Sequence, residues 1–219
     1  MNHVSIIIPA HNEEETIVQV IDKVRESTIN LEIIVVNNCS TDKTKEKAET
    51  RDVKVVDCLQ KGKGYAMEAG LKYAQGDIVA FIDGDLGIYN RDVVAAMVNP
   101  IIEGKADFTK SAFVREGGRV TELVAKPLLQ LLLPELAQYQ QPLSGIIAGR
   151  KRIFESIELE KDYGVDIGIL IDVYKKNMKM EEVNIGRIDN NSQSWQSLSL
   201  MAKEVAKAIL KRTGTEGIK

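Results

Sequence analysis

Apolar residues in the first 85 positions fall into short unbroken runs separated by amphipathic and polar stretches. Residues 4–8 (VSIII) form a largely β-branched run closed by Pro9, the pattern of a strand buried on both faces of a parallel sheet. Asn12, followed by Glu13, Glu14 and Glu15, reads as a helix start. Its amide can cap open backbone N–H groups, and acids in the first turn suit the positive end of the helix dipole. Ile17, Val20, Ile21 and Val24 then recur at helical spacing. A second buried strand covers 31–36 and ends in the polar turn 37–42. A charged helix to residue 51 and a third strand at 53–56 follow. Lys61-Gly62-Lys63-Gly64 opens a helix through Ala74, and a fourth strand, 78–82, stops at Asp83-Gly84-Asp85. Strands alternating with helices at this interval predict βαβ units: an α/β fold with a mostly parallel central sheet and helices on both faces.

Beyond residue 105 the alternation loosens. The pattern predicts a strand at 106–111, a long helix at 118–133, a short apolar segment at 146–148 and a helix at 165–174. An edge strand at 180–185 and an amphipathic helix at 197–210 follow, the latter with Leu198, Met201, Val205, Ala208 and Ile209 on one side. The 219 residues fit a single domain, 1–219, with a nucleotide-binding half (1–105) and an acceptor half (106–219).

Bulk properties narrow the function by exclusion. A net charge of −3 with dispersed Lys and Arg argues against a nucleic-acid binder, which presents a basic face. Cys39 and Cys58 stand apart, without a CxxC or neighbouring His, and read as reduced thiols rather than a zinc site. Residues 1–9 lack the basic start and apolar run of a secretory leader. The most apolar stretch, 127–136, is shorter than the roughly 18 residues that cross a bilayer and is broken by Gln130 and Pro134. A cytoplasmic protein without stable membrane insertion is expected.

In open parallel sheets ligands bind outside the carboxyl ends of the strands, and three polar clusters fall there. They are Pro9-Ala10-His11-Asn12-Glu13, the turn 37–42, and Asp83-Gly84-Asp85. Two carboxylates flanking a small residue can share a hard cation, or one can hold the cation and the other a hydroxyl. Mg2+ and Mn2+ choose oxygen ligands and often bridge carboxylates to substrate phosphates. Taken alone a DxD triplet is more often a polar turn; following a buried strand in a βαβ chain, it points to metal. Lys61-Gly62-Lys63-Gly64 could set a cation and backbone N–H groups against a diphosphate, although it is not a Walker loop.

The segments IIPAHNEEETI, NNCSTDKT and FIDGDL resemble the nucleotide-binding half of GT-A glycosyltransferases. GGRVTELVAKPLLQLLLPEL, QQPLSGIIAGRKRIFESI and DYGVDIGILIDVY more specifically resemble the glucosyl-3-phosphoglycerate synthases and their mannosyl relatives, over residues 4–212. The resemblance implies the GT-A, Rossmann-like nucleotide-sugar fold and a retaining, metal-dependent transfer of glucose or another hexose. UDP-glucose is the favoured donor and 3-phosphoglycerate, or a similar small anion, the acceptor. It implies that Pro9, Ala10, His11, Glu13 and Gly84 line the nucleotide-sugar pocket, with Asn38 near base and ribose. Lys63 should approach the diphosphate, Asp83 the donor sugar or ribose, and Asp85 the metal. Gly118, Arg119 and Thr121 should offer N–H groups and a hydroxyl to the acceptor's anionic groups, with Lys110 and Arg115 adding positive charge. Asp166 stands where the family typically carries Glu and is expected near the donor glucose or acceptor hydroxyl. The family's late metal-ligating His has no counterpart; Asn190, beside Asp189, occupies its place.

Two other readings share the first half of the chain. One is an inverting transferase acting on a polyprenyl phosphate or polysaccharide, since SGIIAGRK is similar to a motif of dolichyl-phosphate-type enzymes. The other is a non-catalytic nucleotide-sugar binder, for which the missing His is the main support. The apolar stretch 127–136 also offers a surface for pairing with a second copy of the chain.

Overall fold

The computed structural model of the chain describes residues 3–85, 92–114, 118–188 and 195–215. Strands β1 (Val4–Ala10), β2 (Leu31–Asn38), β3 (Lys54–Cys58), β4 (Ile78–Phe81), β5 (Phe108–Val114), β6 (Ile147–Arg150) and β7 (Met180–Arg187) form one sheet. Its order is β3-β2-β1-β4-β6-β5-β7. Strand β6 runs antiparallel to both neighbours and every other pairing is parallel. The 146–148 segment, only an apolar stretch by pattern, is therefore part of an interior strand, β6, which joins β4 to β5. The 180–185 segment lies at the edge, as its half-polar pattern predicts.

Alternation along the strands divides the core in two. Ile7, Ile34, Val36 and Phe81 face one way, under α3 (Lys63–Tyr73), α7 (Val165–Lys175) and α8 (Trp195–Thr213). Ile6, Ile8, Val35 and Ile82 face the other, under α1 (Ile17–Arg25) and α4 (Val93–Ile102). Helices α2 (Thr44–Glu49), α5 (Lys126–Leu132) and α6 (Lys151–Glu155) complete the set. Helix α3 lies so close to β1 that a Cβ on Gly70 would sit 2.4 Å from Cγ2 of Ile7. This close approach sets the packing distance of α3 on β1.

Two local expectations are corrected. Asn12 does not cap a helix beginning beside it; α1 starts at Ile17, and Asn12 adopts a left-handed φ of 58°. Its Oδ1 instead accepts from the Thr41 N–H at 2.8 Å. The N–H groups of Glu13 and Glu14 go to Thr44 Oγ1 (2.7 Å) and Asp42 Oδ2 (3.1 Å). Polar partners offered by the β2 loop thus outcompete helical hydrogen bonding and lace the two loops together.

The long helix expected at 118–133 is present from 119 to 132, but it is widened to a π-turn at Thr121–Ala125, where the Lys126 N–H reaches back to the Thr121 carbonyl. Pro127 has no N–H, and its ring would press on the carbonyl four residues earlier; a local widening relieves that clash.

Candidate active site

The carboxyl ends of β1, β2 and β4 open into a cavity of about 620 Å3, closed on the far side by the residue 118–121 segment and by α7 and α8. Pro9, Ala10, His11, Glu13, Asn38, Lys63, Asp83, Gly84, Asp85, Gly118, Arg119, Thr121 and Asp166 all line it. Lining residues as far apart as Pro9 and Val205, 196 positions, are thereby brought to one space, His11 at one end and the α7 and α8 residues at the other. Arg115 and Asn190 lie outside the described residues.

At the β1–β2 end, His11 Nδ1 lies 2.7 Å from the Asn38 carbonyl. A carbonyl only accepts, so Nδ1 carries the hydrogen; in a neutral ring Nε2 is left as an acceptor. Asn38, itself buried, ties this end to the next element: its Nδ2 donates to the Gln60 carbonyl (2.7 Å), and its Oδ1 accepts from the Gly62 N–H (2.8 Å). The Gly64 N–H goes to the Lys161 carbonyl at 3.0 Å. This removes two of the amides from the cradle expected at the start of α3. The Gly62 and Gly64 amides are already committed to protein partners, and the Lys63 ammonium lines the cavity.

That ammonium stands between two acids, 2.7 Å from Asp83 Oδ1 and 2.9 Å from Asp166 Oδ2. Burial alone would lower the Lys63 pKa, but the carboxylates of Asp166 and Asp83 outweigh it and hold the group well above its ordinary value. Lys63 is therefore charged at every physiological pH. Asp166 is 5% exposed, and its Oδ1 is a buried oxygen without a hydrogen-bond partner inside the protein. Burial raises its pKa, with Lys63 pulling the other way.

Pattern reading missed the wall that closes on this cluster. Gly145, in the turn before β6, sits so near that a Cβ there would lie 2.2 Å from Lys63 Nζ and 2.4 and 2.5 Å from the two Asp83 oxygens. Only glycine fits. The sequence signal was a Ser-Gly pair just before an apolar segment, which by itself marks no more than a turn. Lys110, expected beside the acceptor's charge, is instead fully buried in β5 and donates to the Ser144 carbonyl at 2.7 Å. It shares a strand face with Phe108 and Ala112, so the alternation of β5 carries it into the interior.

Asp85 is exposed at the mouth. Nearby, Glu13 is pushed up to about 7, first by burial and then by the Asp85 carboxylate, with the Thr16 hydroxyl opposing. Negative charge concentrated in this way fits a hard cation. Among the described residues, however, no group of three or more His, Cys, Asp or Glu converges to hold a metal unaided. Asp83 is ion-paired with Lys63 and Asp85 lies exposed at the mouth; a cation held there would leave its remaining coordination sites to a phosphate-bearing substrate. Mg2+ is commonly held in this way.

The glycosyl transferase family 2 model matches residues 5–156. The chain belongs to glycosyl transferase family 2. Among curated members of this transferase group it is 35% identical to the glucosyl-3-phosphoglycerate synthase of Mycobacterium tuberculosis (strain CDC 1551 / Oshkosh), over 96% of this chain and 74% of that one. It is 33% identical to the synthase of Petrotoga mobilis, over 95% and 73%. A dolichol-phosphate mannosyltransferase of Pyrococcus furiosus is 29% identical over 83% of this chain and 55% of its own length.

The crystal structure of the M. tuberculosis synthase with Mn2+, UDP-glucose and phosphoglyceric acid superposes with a TM-score of 0.92 at 35% identity, covering 99% of this transferase and 81% of that chain. The same enzyme with Mg2+ and UDP gives 0.92 at the same coverage. The mostly parallel GT-A-type sheet and the synthase-like character expected from the sequence are both borne out.

Proposed function

We propose that this transferase moves glucose from UDP-glucose to 3-phosphoglycerate in a reaction that needs Mg2+ or Mn2+, retains the configuration at the anomeric carbon, and takes place in the cytoplasm. The observation that carries the reading is the partly buried Lys63–Asp83–Asp166 cluster with Asp85 at its mouth. Relatives that share the fold at 35% identity are described in complexes with these ligands. Among the described residues no helix is long and apolar enough to cross a membrane, which favours a small acceptor over a polyprenyl phosphate.

Asp85 would hold the cation, which when bound neutralises charge developing on the departing diphosphate. Lys63 supplies a permanent positive charge beside the same group, and Asp83 and Asp166 keep its ammonium from swinging away. The anomeric carbon exchanges its bond to the diphosphate oxygen for one to the acceptor hydroxyl oxygen. The electron pair leaves with UDP, and the hydroxyl proton passes to the leaving group or to solvent. The partnerless Oδ1 of Asp166 is suited to accept a hydroxyl of the sugar. At the opposite wall, Gly118 (φ 79°) turns the chain into the helix over 119–132, whose first N–H groups favour an anion. Arg119 stacks over the Trp195 ring at 4.8 Å beside that site.

The test is product analysis after incubation with UDP-glucose, Mg2+ and 3-phosphoglycerate. A glucosylated phosphoglycerate with an α-anomeric proton signal is expected. A β-linked product, or glucose transferred only to a lipid phosphate, would overturn the reading.

A further inference from the structure

One fully buried cation has no part in the chemistry above. Lys110 is 0% exposed, and its ammonium has carbonyl partners: Ser144 at 2.7 Å and Asp166, in the first turn of α7, at 3.4 Å. An interior ammonium held this way is costly, and a methionine of similar length would avoid that cost. What the ammonium holds is specific. Ser144 is gripped at each polar group. Its N–H donates to the Gln141 carbonyl (3.0 Å), and its hydroxyl meets Ser111 Oγ at 2.6 Å and accepts from the Ile146 N–H at 3.1 Å. Lys110 holds its carbonyl. The next residue is Gly145, where an added Cβ would strike Lys63 and Asp83. A shift of Ser144 is therefore a shift of the wall against which the ion cluster rests.

We propose that Lys110 is a positioning residue for the sugar end of the donor pocket: it ties the Ser144–Gly145 wall to the first turn of α7, so that Gly145, Lys63, Asp83 and Asp166 keep their spacing when the donor's hexose enters. This rests on the donor-site reading of the cavity but not on the identity of the acceptor. UDP, with its nucleoside toward β1 and β2 and its diphosphate held also through the Asp85 cation, depends on the tie far less than the hexose, which lies against Gly145, Asp83 and Asp166. The charged groups that face Lys110 are Asp166 from α7, Lys63 from α3, Asp83 beyond β4 and Glu182 from β7. Burial brings the ammonium down to about 8, so the tie weakens as pH rises through that value.

The experiment compares the full-length chain with its Lys110→Met and Ser111→Ala variants, the second removing another tether of Ser144 with little risk to folding. Calorimetric affinities for UDP and for UDP-glucose, both with Mg2+, are read beside kcat across pH. Lys110→Met is expected to bind UDP within about twofold of the native chain and UDP-glucose about tenfold more weakly. Its kcat should fall about 100-fold, the usual scale for a misplaced site, and the alkaline limb of the native kcat profile should vanish. Ser111→Ala should move in the same direction by less.

Equal weakening of UDP and UDP-glucose would reduce Lys110 to a general structural role and overturn the proposal, as would unchanged UDP-glucose affinity in both variants. If Lys110→Met fails to fold, Ser111→Ala decides alone, and an unchanged preference for UDP-glucose over UDP overturns the proposal. If the native chain binds UDP-glucose yet ignores 3-phosphoglycerate, the acceptor assignment falls and the binding measurements still decide the role of Lys110.

Discussion

Replacing Gly145 by alanine places one methyl group where the structure has no room for it. The new carbon would lie 2.2 Å from Lys63 Nζ, against about 3.5 Å for an ordinary contact, so the ammonium must retreat by about 1.3 Å. It starts 2.7 Å from Asp83. Stretching that separation to about 4 Å at an effective dielectric of about 20 forfeits on the order of 2 kcal/mol of attraction, or roughly a 30-fold effect. Misplacement of the charge relative to the diphosphate adds to this, so kcat should fall between about 30- and 100-fold.

The atoms struck are the mobile ends of two side chains rather than backbone, so the fold should absorb the change. The melting temperature should drop by no more than about 8 °C, the equivalent of the about 2 kcal/mol of attraction lost in a chain of this size. Steady-state UDP release and a thermal melt on the same preparation read both quantities. A variant with kcat within about threefold of native would refute the claim that Gly145 fixes the ion cluster. So would a variant that loses activity only because it unfolds.

Gly64→Ala makes the opposite case. Its Cβ would lie 1.7 Å from the Glu160 carbonyl oxygen, which is backbone, so the 158–162 loop must move and the Gly64-to-Lys161 hydrogen bond must break. A loss of about 3 kcal/mol and a melting point lower by roughly 6–12 °C are expected; an unchanged melt would show the loop to be loosely packed. Glu13→Gln tests the acidic corner. With Glu13 raised from 4.5 to about 7, the folded state binds more protons than the unfolded one between those values. Native stability should therefore fall as pH rises through this window, a decline the variant lacks; parallel pH–stability curves would remove the claim. Leu123 and Leu131 are 70% and 80% exposed on one helical segment and offer the face for a second copy. Leu131→Glu should convert a dimer to monomer in light scattering, and a native chain that is monomeric at high concentration would end the idea.

Strands β1, β2 and β4 were legible because strands buried on both faces read as unbroken apolar runs, and the clusters at their carboxyl ends did line one cavity. Three features were not legible for physical reasons. The Lys63–Asp166 pairing spans 103 positions and leaves no local spacing to read. Asn12 carries the residue type of a cap, but the choice between capping and bonding to Thr41 depends on the β2 loop arriving beside it. Strand β6 has four residues, one of them glycine, too few to show a period. Lys110 could have been found: in β5 it alternates with Phe108 and Ala112, and a lysine in register with core residues signals a buried charge. Asp166 carries the same sign, a lone acid in the apolar run VDIGILI.

The most direct measurement is UDP release from UDP-glucose by the native chain and its Asp85→Ala variant, with and without 3-phosphoglycerate, in Mg2+ and again after chelation. Release that requires 3-phosphoglycerate, stops with chelator and is lost in the folded Asp85→Ala variant is the expected result. Release that ignores 3-phosphoglycerate, or that survives both chelation and the loss of Asp85, would contradict the assignment of this site as a metal-dependent glucosyl transfer centre.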